Sequence, residues 1–330
     1  MEPIFTLDVG STTQDFVLFN DENIRNCPKA ILPSPTRIIA RKIESSNEDV
    51  FLHGYTMGGG AITNAVLRHI KRGFRVFATQ RSALTFSDNL EKVREMGIII
   101  TEYADAKAIK TADVDLEFFS RFLEALEIPM PEIFAVAVQD HGYSPNESNR
   151  IFRFKILRRV LERERFLERL LFSESELPRE FNRMSDVISS IKDCREAEVF
   201  VTDTSFAAIS GLASVSKLPA LLINFGNSHT TGAIVDEDWE IKALIEHHTN
   251  VLKKKGKDYV KEIFSRFLKG EIDNEFVLND MGHGCYVREV IDVKSVAATG
   301  PNAWLFDYEE PKGDPMIFGN LGMFAMLSRK

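Results

Sequence analysis

Two segments far apart in the chain could bind phosphate, because each ends an apolar strand in a carboxylate or amide followed by glycine and hydroxyl residues. The first runs from Asp8 to Thr13 and the second from Asn224 to Thr230. Turn amides and hydroxyls can donate to phosphate oxygens, and a carboxylate such as Asp8 can hold Mg²⁺ through its waters. Facing each other across a cleft, the two segments would grip a polyphosphate from both sides. The predicted phosphate-binding residues are Gly10, Ser11, Thr12, Thr13, Asn224, Gly226, Asn227, Ser228, His229 and Thr230.

Histidines outside these segments are less informative. The pair His247-His248 follows a predicted strand and is interpreted as surface or core packing. His283 and Cys285 share a glycine-flanked turn, but two residues two positions apart do not make a metal site. Their role stays open, and no metal is predicted there.

The cysteines and a glycine cluster allow further interpretations. Cys27, Cys194 and Cys285 have no close spacing, so neither a disulfide framework nor a Cys-x-x-Cys site is predicted, and a reducing cytosol is the natural setting. Gly58-Gly59-Gly60 precedes a predicted helix. Such a loop can present N–H groups to an anion or can be a close-packed turn, and both interpretations stay open.

The elements that must position these residues alternate between strands and helices, which predicts a mainly parallel sheet covered by helices. The predicted strands cover residues 5–9, 15–19, 37–42, 50–54, 75–78, 133–138, 198–202, 221–225 and 231–235, and the helices cover 61–70, 87–96, 115–126, 149–172 and 205–214. The strand-turn-strand pattern of residues 5–19 recurs at 221–235 and indicates an internal duplication. A first lobe is predicted over residues 1–145 and a second over 146–330.

Composition and charge exclude several classes of protein. The 330 residues are 44% hydrophobic and 27% charged, which is typical of globular domains rather than disordered, collagen-like or coiled-coil chains. A net charge of −8 argues against a nucleic-acid partner. The eight basic residues between Arg150 and Arg169 are interpreted as a solvated helix face. No stretch approaches the ~18 apolar residues of a membrane span, so a cytoplasmic protein without a membrane partner is predicted.

With all elements in order, the chain resembles the superfamily of actin, sugar kinases and DnaK-type heat-shock chaperones. Residues 8–13 and 224–230 are similar to its two phosphate motifs, and residues 202–209 to the connecting helix of the chaperones. Residues 295–303 resemble the segment that packs on adenosine, and residues 318–327 the closing helix.

The resemblance spans residues 5–327 and implies an α/β, two-lobed actin-like (ribonuclease H-like) ATPase fold. Its lobes would be duplicated, with the nucleotide in the cleft between them, and the closing helix can pack back on the first lobe. It implies ATP and Mg²⁺ as cofactors, with Asp8 as the metal-binding residue. It also implies adenosine binding by Gly300, Pro301 and Asn302.

The resemblance further implies catalytic roles for Asp8, Gln139 and Asp140. Gln139-Asp140-His141 follows the strand at 133–138, where related proteins present a polar residue to the nucleophile, although an ordinary turn fits equally. The second phosphate motif usually begins with aspartate, but Asn224 stands there. An amide can coordinate or hydrogen-bond but cannot serve as a base.

The chain also resembles a mainly archaeal family labelled as related to the pyruvate formate-lyase activating enzyme. That label implies a radical enzyme that uses S-adenosylmethionine and an iron–sulfur cluster. The cluster needs three closely spaced cysteine ligands, which this chain lacks. The superfamily resemblance is therefore kept and the radical chemistry is not predicted.

Two functions of different classes remain. The first is a Mg²⁺-dependent ATP-binding enzyme that transfers phosphate to water or to an unknown small-molecule acceptor. The second is a non-catalytic switch in which ATP closes the lobes and a protein partner responds to the closure. The sequence identifies neither the acceptor nor the partner.

Overall fold

The structure is a computed structural model that describes residues 2–308, 311 and 313–330. In chain order the strands are β1 (Ile4–Val9), β2 (Thr13–Phe19), β3 (Lys29–Pro33), β4 (Val50–Gly54), β5 (Val76–Ala78), β6 (Ile98–Ile100), β7 (Lys107–Thr111), β8 (Ile133–Val138), β9 (Glu198–Thr202), β10 (Ala220–Phe225), β11 (His229–Val235), β12 (Ile241–His248), β13 (Gly284–Val287) and β14 (Ser295–Thr299). The helices are α1 (Pro35–Glu44), α2 (Gly60–Lys71), α3 (Gln80–Ala83), α4 (Leu90–Glu95), α5 (Leu116–Glu124), α6 (Asn149–Arg163), α7 (Asn182–Lys192), α8 (Thr204–Val215), α9 (Thr249–Lys255), α10 (Lys257–Leu268), α11 (Asn274–Asn279) and α12 (Phe318–Arg329).

Two five-stranded sheets have matching arrangements. The first has the order β3-β2-β1-β8-β9, and the second has the order β13-β12-β11-β10-β14. In each sheet a hairpin is extended by a further antiparallel strand on one side and by a parallel strand on the other. This duplicated pattern is that of the two-lobed actin-like α/β fold, which confirms the predicted fold class.

The two central hairpins agree residue by residue. In the first, Asp8 pairs with Asp15 across the strands, and in the second Asn224 pairs with Thr231. Each hairpin closes with a turn of three residues, 10–12 and 226–228, between its strands. Asn224 is therefore the structural counterpart of Asp8, as the internal duplication predicts.

A third sheet of four parallel strands, in the order β6-β5-β4-β7, lies between β3 and β8 in the chain. It has its own core, which includes Val50, Leu52 and Val76. The glycines at positions 58–60 follow β4 and lead into α2. This small sheet therefore positions the glycine cluster.

Some local predictions were wrong. The predicted strand at 37–42 lies within α1, which begins at Pro35, a residue suited to the first helical turn. Its buried residues Ile39, Ala40 and Ile43 follow helical spacing. The sequence interpretation also missed β3, and it extended α6 to residue 172, whereas α6 ends at Arg163.

The strand β9 belongs to the sheet of the first lobe, although the sequence interpretation placed it in the second. It runs parallel to β8, with Thr202 opposite Ala137. The first sheet therefore includes a strand that lies well beyond residue 145. Between β8 and β9 the chain forms α6 and α7. A crossover of this length leaves no local pattern that assigns the strand to one sheet.

Two helices, α8 and α12, pack closely at the back of the cleft. A Cβ atom at Gly211 would lie 2.0 Å from the carbonyl oxygen of Phe318, and one at Gly322 would lie 1.8 Å from that of Ala207. The helix α12 also contacts the first hairpin, because Asn320 Nδ2 donates to Thr6 Oγ1 over 2.9 Å. No helix in the described part of the chain is long and apolar enough to cross a membrane.

Candidate functional site

The turns of both hairpins face one cavity of about 580 Å³, a size typical of small-molecule sites. Residues 8–13 line it from the first lobe, and Asn224 with residues 226–229 lines it from the second. Thr299, Gly300 and Pro301 line it as well. Most of the predicted phosphate and adenosine residues are therefore brought together.

Thr230 and Asn302 lie behind the second turn and are not among the residues that line the cavity. Both side chains are buried. Thr230 Oγ1 lies 3.0 Å from Thr249 Oγ1, and Asn302 Nδ2 donates to the Gly226 carbonyl over 3.0 Å. The two side chains therefore support the turn from behind, and ligand contact by Thr230 and Asn302 stays a prediction.

Asp8 combines burial with an unsatisfied carboxylate. Its Oδ1 is buried and has no hydrogen-bond partner among the residues that the structure describes. Its Oδ2 lies against Gly319 at the start of α12, where a Cβ atom would come within 2.0 Å. Burial, followed by the nearby Asp15 and Asp203, raises the pKa of Asp8 well above its ordinary value. Such a carboxylate is costly without a cation, so its position fits a bound Mg²⁺.

The cavity as a whole is acidic. Among the described residues that line it, Arg183 is the only lysine or arginine, while five are aspartates: Asp8, Asp15, Asp88, Asp113 and Asp140. A polyphosphate would be repelled by this lining unless a cation accompanied it. The acidic lining therefore also favours a metal ion together with an anionic ligand.

Asp15, the cross-strand partner of Asp8, gives a pH-dependent prediction. Burial raises its pKa to about 6. The folded protein therefore holds more protons than the unfolded chain between pH 3.8 and about 6, and this contribution destabilises the fold as the pH rises through that window. We expect Asp15→Asn to raise the free energy of unfolding at pH 7.5 by on the order of 2 kcal/mol, and by much less at pH 4.5.

Denaturant unfolding of the ligand-free protein at both pH values checks this prediction. Asp105→Asn is the matched control, because Asp105 is an exposed loop residue. If Asp15→Asn raised the free energy of unfolding by the same amount at both pH values, the prediction that Asp15 titrates between them would be wrong.

Asp140 lines the cavity, but both of its carboxylate oxygens are already engaged. Oδ1 accepts from the backbone N–H of Gly142 over 2.8 Å, and Oδ2 accepts from that of Met184 over 2.9 Å. Burial raises its pKa to about 6 despite these bonds. The carboxylate holds the turn after β8, which matches the ordinary-turn interpretation better than the role of a free base.

Gln139 connects the two lobes. Its Nε2 lies 2.6 Å from Nδ1 of His229, the first residue of β11. Its carbonyl oxygen accepts from Arg183 over 2.6 Å. Gln139 therefore holds His229 against the first lobe.

Arg183, at the start of α7, was not identified from the sequence. Its Nε and a terminal nitrogen donate to the two oxygens of Asp113, over 2.7 and 2.8 Å. A Cβ atom at Gly58 would lie 2.9 Å from its guanidinium, so the glycine lets the loop after β4 approach this charge. At Gly59 a Cβ atom would lie 2.3 Å from the carbonyl oxygen of Thr85. The glycine cluster is thus a close-packed turn that also lines the cavity.

Arg153 corrects the interpretation of α6 as a helix with only solvated basic residues. Its side chain is fully buried and pairs with Asp203 over 2.7 Å and with Glu246 over 2.8 Å. It also donates to the carbonyl oxygen of Asp140 over 2.7 Å. Glu246 belongs to the second sheet and Asp140 follows a strand of the first, so Arg153 joins the two lobes.

Three histidines converge beside the second phosphate turn. One ring nitrogen of each of His229, His248 and His283 lies within 4.8 Å of the others. Burial lowers the pKa of all three rings, that of His229 to about 4. His247 instead packs in the second lobe, with Nε2 3.0 Å from Asp280. His247 thus packs as the sequence interpretation expects, while His248 is half-buried within the histidine cluster.

The three cysteines lie in different surroundings. Cys27 is buried in a small cluster with Val17, Phe19 and Ile317. Cys194 is exposed, and Cys285 is buried in the core of the second lobe, where burial raises its pKa to about 12. Among the described residues the three cysteines therefore do not come together, and burial favours the protonated thiol of Cys285.

Several solved structures resemble this chain at low identity. The ethanolamine utilization protein EutJ from Carboxydothermus hydrogenoformans is 11% identical, with 98% of this chain and 88% of that chain covered and a TM-score of 0.36. The activator of the 2-hydroxyisocaproyl-CoA dehydratase from Clostridium difficile, with bound ADPNP, is 10% identical, with 99% and 95% covered and a TM-score of 0.34. The Ppx/GppA phosphatase of Aquifex aeolicus is 8% identical, with 100% and 92% covered and a TM-score of 0.34.

No curated protein sequence matches the chain significantly. A family profile with the description "Putative pyruvate format-lyase activating enzyme (DUF1786)" matches residues 57–305, which is well over half of the chain. The match includes β5 to β7 of the small parallel sheet, α6 and the turn at residues 226–228. The chain belongs to this family.

Proposed function

We propose that this protein binds ATP with Mg²⁺ in the interlobe cleft and uses it for phosphoryl transfer to water or to a small-molecule acceptor. The observation that carries the proposal is the pair of matching hairpins whose turns face one cavity, with the unpartnered carboxylate of Asp8 at its wall. Thr299, Gly300 and Pro301 would contact the adenosine, because they line the same cavity next to Asn224.

The chain's own groups would bind and orient the triphosphate. The backbone and hydroxyl groups of the two turns would donate to phosphate oxygens, and Asp8 would hold the metal. Bound Mg²⁺ would supply the positive charge that the acidic lining lacks. Because phosphoryl transfer depends mainly on positioning and charge stabilisation, fixed turns can account for much of the catalysis.

Arg183 supports an acceptor site beside Gly58 in the cavity. Its guanidinium is held rigidly by Asp113 and by the Gln139 carbonyl. A fixed positive charge can stabilise the negative charge of a phosphoryl group during transfer. The neighbouring Gly58 and Gly59 line the same region, so an acceptor would bind between the small sheet and the phosphate turns.

A specific observation favours the nucleotide-dependent switch as a second candidate. Neither residue predicted to act on the nucleophile is available as a base, because both oxygens of Asp140 are engaged and Gln139 is an amide. Contacts from Gln139 and Arg153 join the lobes instead. A ligand that tightens the cleft would act on these contacts directly.

The radical chemistry suggested by the family description does not fit this chain. An iron–sulfur cluster of a radical enzyme needs three cysteine ligands in one place. Here Cys27 and Cys285 lie in separate hydrophobic clusters, and Cys194 is exposed. No step is therefore assigned to such a cluster.

Calorimetric titration of the purified protein with a non-hydrolysable ATP analogue tests the proposal. We expect one molecule to bind per chain in Mg²⁺ and binding to be lost in excess EDTA, because the cavity is acidic. Absence of binding at millimolar analogue with Mg²⁺ would refute the proposal. Phosphate release from ATP, with and without a pool of small metabolites, then separates the enzyme from the switch.

A further inference from the structure

The proposed grip on the nucleotide uses backbone and hydroxyl groups of the two turns, and of the three clustered histidines only His229 is among the predicted phosphate-binding residues. We infer that His229, His248 and His283 form a binding site for a divalent transition metal ion such as Zn²⁺, on the second-lobe side of the cleft. This site is distinct from the Mg²⁺ position at Asp8, which belongs to the first lobe.

The backbone of the second sheet brings the three rings together. His229 and His248 are direct partners in the pairing of β11 with β12. The backbone N–H of His283 donates to the carbonyl oxygen of Glu246 over 2.9 Å, which places its ring beside the same two strands. The ring of His283 lies 4.5 Å, centre to centre, from each of the other two. Two of the ligands are therefore positioned by paired strands, and His283, in the loop before β13, is fixed beside them by its backbone hydrogen bond.

The spacing suits a small ion. Zn²⁺ binds imidazole nitrogens at about 2.0–2.1 Å, so the ligand nitrogens of a tetrahedral site lie roughly 3.4 Å apart. The nitrogens of the cluster lie within 4.8 Å of one another, so small ring rotations would complete the site.

His283 supplies an independent indication of a ligand. Its side chain is 1% exposed, and neither of its ring nitrogens has a hydrogen-bond partner. Buried polar groups are normally satisfied, so an imidazole with two free nitrogens needs an explanation. A metal ion would satisfy one nitrogen. Nδ1 lies 3.6 Å from Glu246, which could accept from the other nitrogen, as carboxylates commonly do behind a metal-bound histidine.

The charges around the cluster are of both signs. Arg153 is bonded to both Asp203 and Glu246, so this buried group carries one positive and two negative charges, while Arg150 donates to the carbonyl oxygen of Gly282 next to His283. Gln139 can turn its amide so that the oxygen accepts from Nδ1–H of His229, which leaves the other nitrogen of that ring for the metal.

The ion would be reachable from the cleft. His229 lines the cavity, whereas His283 closes the site from the protein interior. Three protein ligands leave a fourth position for water or for a ligand oxygen, as in catalytic rather than structural zinc sites. The site therefore suits an ion that meets the contents of the cavity.

Metal titration of the full-length protein, stripped with EDTA and then freed of chelator, tests the site. We expect one Co²⁺ per chain with the visible absorption of tetrahedral cobalt, displaced by Zn²⁺ but not by excess Mg²⁺, which prefers oxygen ligands. His283→Gln and His248→Gln should each weaken Zn²⁺ binding by at least about 100-fold. His53→Gln, which alters a histidine of the first-lobe small sheet, should bind like the wild type.

His248 is less buried than His283, so its variant remains informative if His283→Gln does not fold. Absence of cobalt bands and of stoichiometric Zn²⁺ in the wild type would overturn the site, as would wild-type affinity in His248→Gln. The measurement uses no nucleotide, so failure of ATP binding would leave this result intact, and the reverse is also true.

Discussion

Replacing Asp8 by alanine is expected to reduce Mg²⁺-dependent ATP binding by roughly two orders of magnitude or more, because a metal-anchoring group is worth several kcal/mol. Asp8 lines the cavity from the first hairpin, and its Oδ1 has no hydrogen-bond partner among the described residues. Without the carboxylate, the ion that offsets the acidic lining loses its anchor. Calorimetric titration in Mg²⁺ measures the loss.

The same change should leave the fold intact or more stable. Burial raises the pKa of Asp8, so the ionised carboxylate destabilises the ligand-free protein at neutral pH, and removing it relieves that cost. Asp8→Asn keeps the shape of the side chain but removes its charge, and it should lose metal-dependent binding like the alanine variant. Asp105→Ala, at an exposed position, is the control for a lost surface charge. Wild-type ATP affinity in both Asp8 variants would remove Asp8 from the site.

The features that could be predicted from the sequence are encoded in short stretches of chain. The segment from Asp8 to Thr13 contains a strand end, a turn and the next strand, so its shape depends on neighbouring residues. The helix α8 is capped by Asp203, whose side chain accepts from the backbone N–H of Ser205. Repetition of the hairpin near residue 224 then indicated the duplicated fold.

The features that could not be predicted depend on contacts between distant segments. Arg153 pairs with Glu246, 93 positions away, and Arg183 with Asp113, 70 positions away. Within α6 the sequence pattern does not distinguish the one buried arginine from its solvated neighbours. The histidine cluster likewise depends on the register of β11 with β12, which a turn one residue longer would change.

The wrong prediction of a strand at residues 37–42, which belong to α1, has a different cause. Residues 37–42 include isoleucines and charged residues that are compatible with either a strand or a helix over so short a stretch. Pro35 at the helix start was the better local indication, since proline suits the first helical turn.

A second large effect is expected from replacing Asn224, the counterpart of Asp8 in the second hairpin. If the missing carboxylate limits chemistry, Asn224→Asp should raise ATP hydrolysis by about two decades while changing ATP affinity less. The register places Asn224 in the second hairpin where Asp8 stands in the first, and the side chain lines the cavity. An added carboxylate there could anchor the metal and its waters from the second lobe. Phosphate release by the wild type and the variant at saturating Mg²⁺-ATP measures the change.

The opposite outcome, no gain in ATP hydrolysis by Asn224→Asp, would support a kinase. In a kinase that awaits its acceptor, asparagine is already the working residue, and a sixth carboxylate in a cavity lined by five would repel the phosphates. Asn224→Asp would then leave hydrolysis unchanged or lower it. Such a result, together with acceptor-dependent turnover by the wild type, would end the switch hypothesis. A gain in hydrolysis by the variant over an inactive wild type would instead show that Asn224 keeps a bound nucleotide from being consumed, as a switch requires.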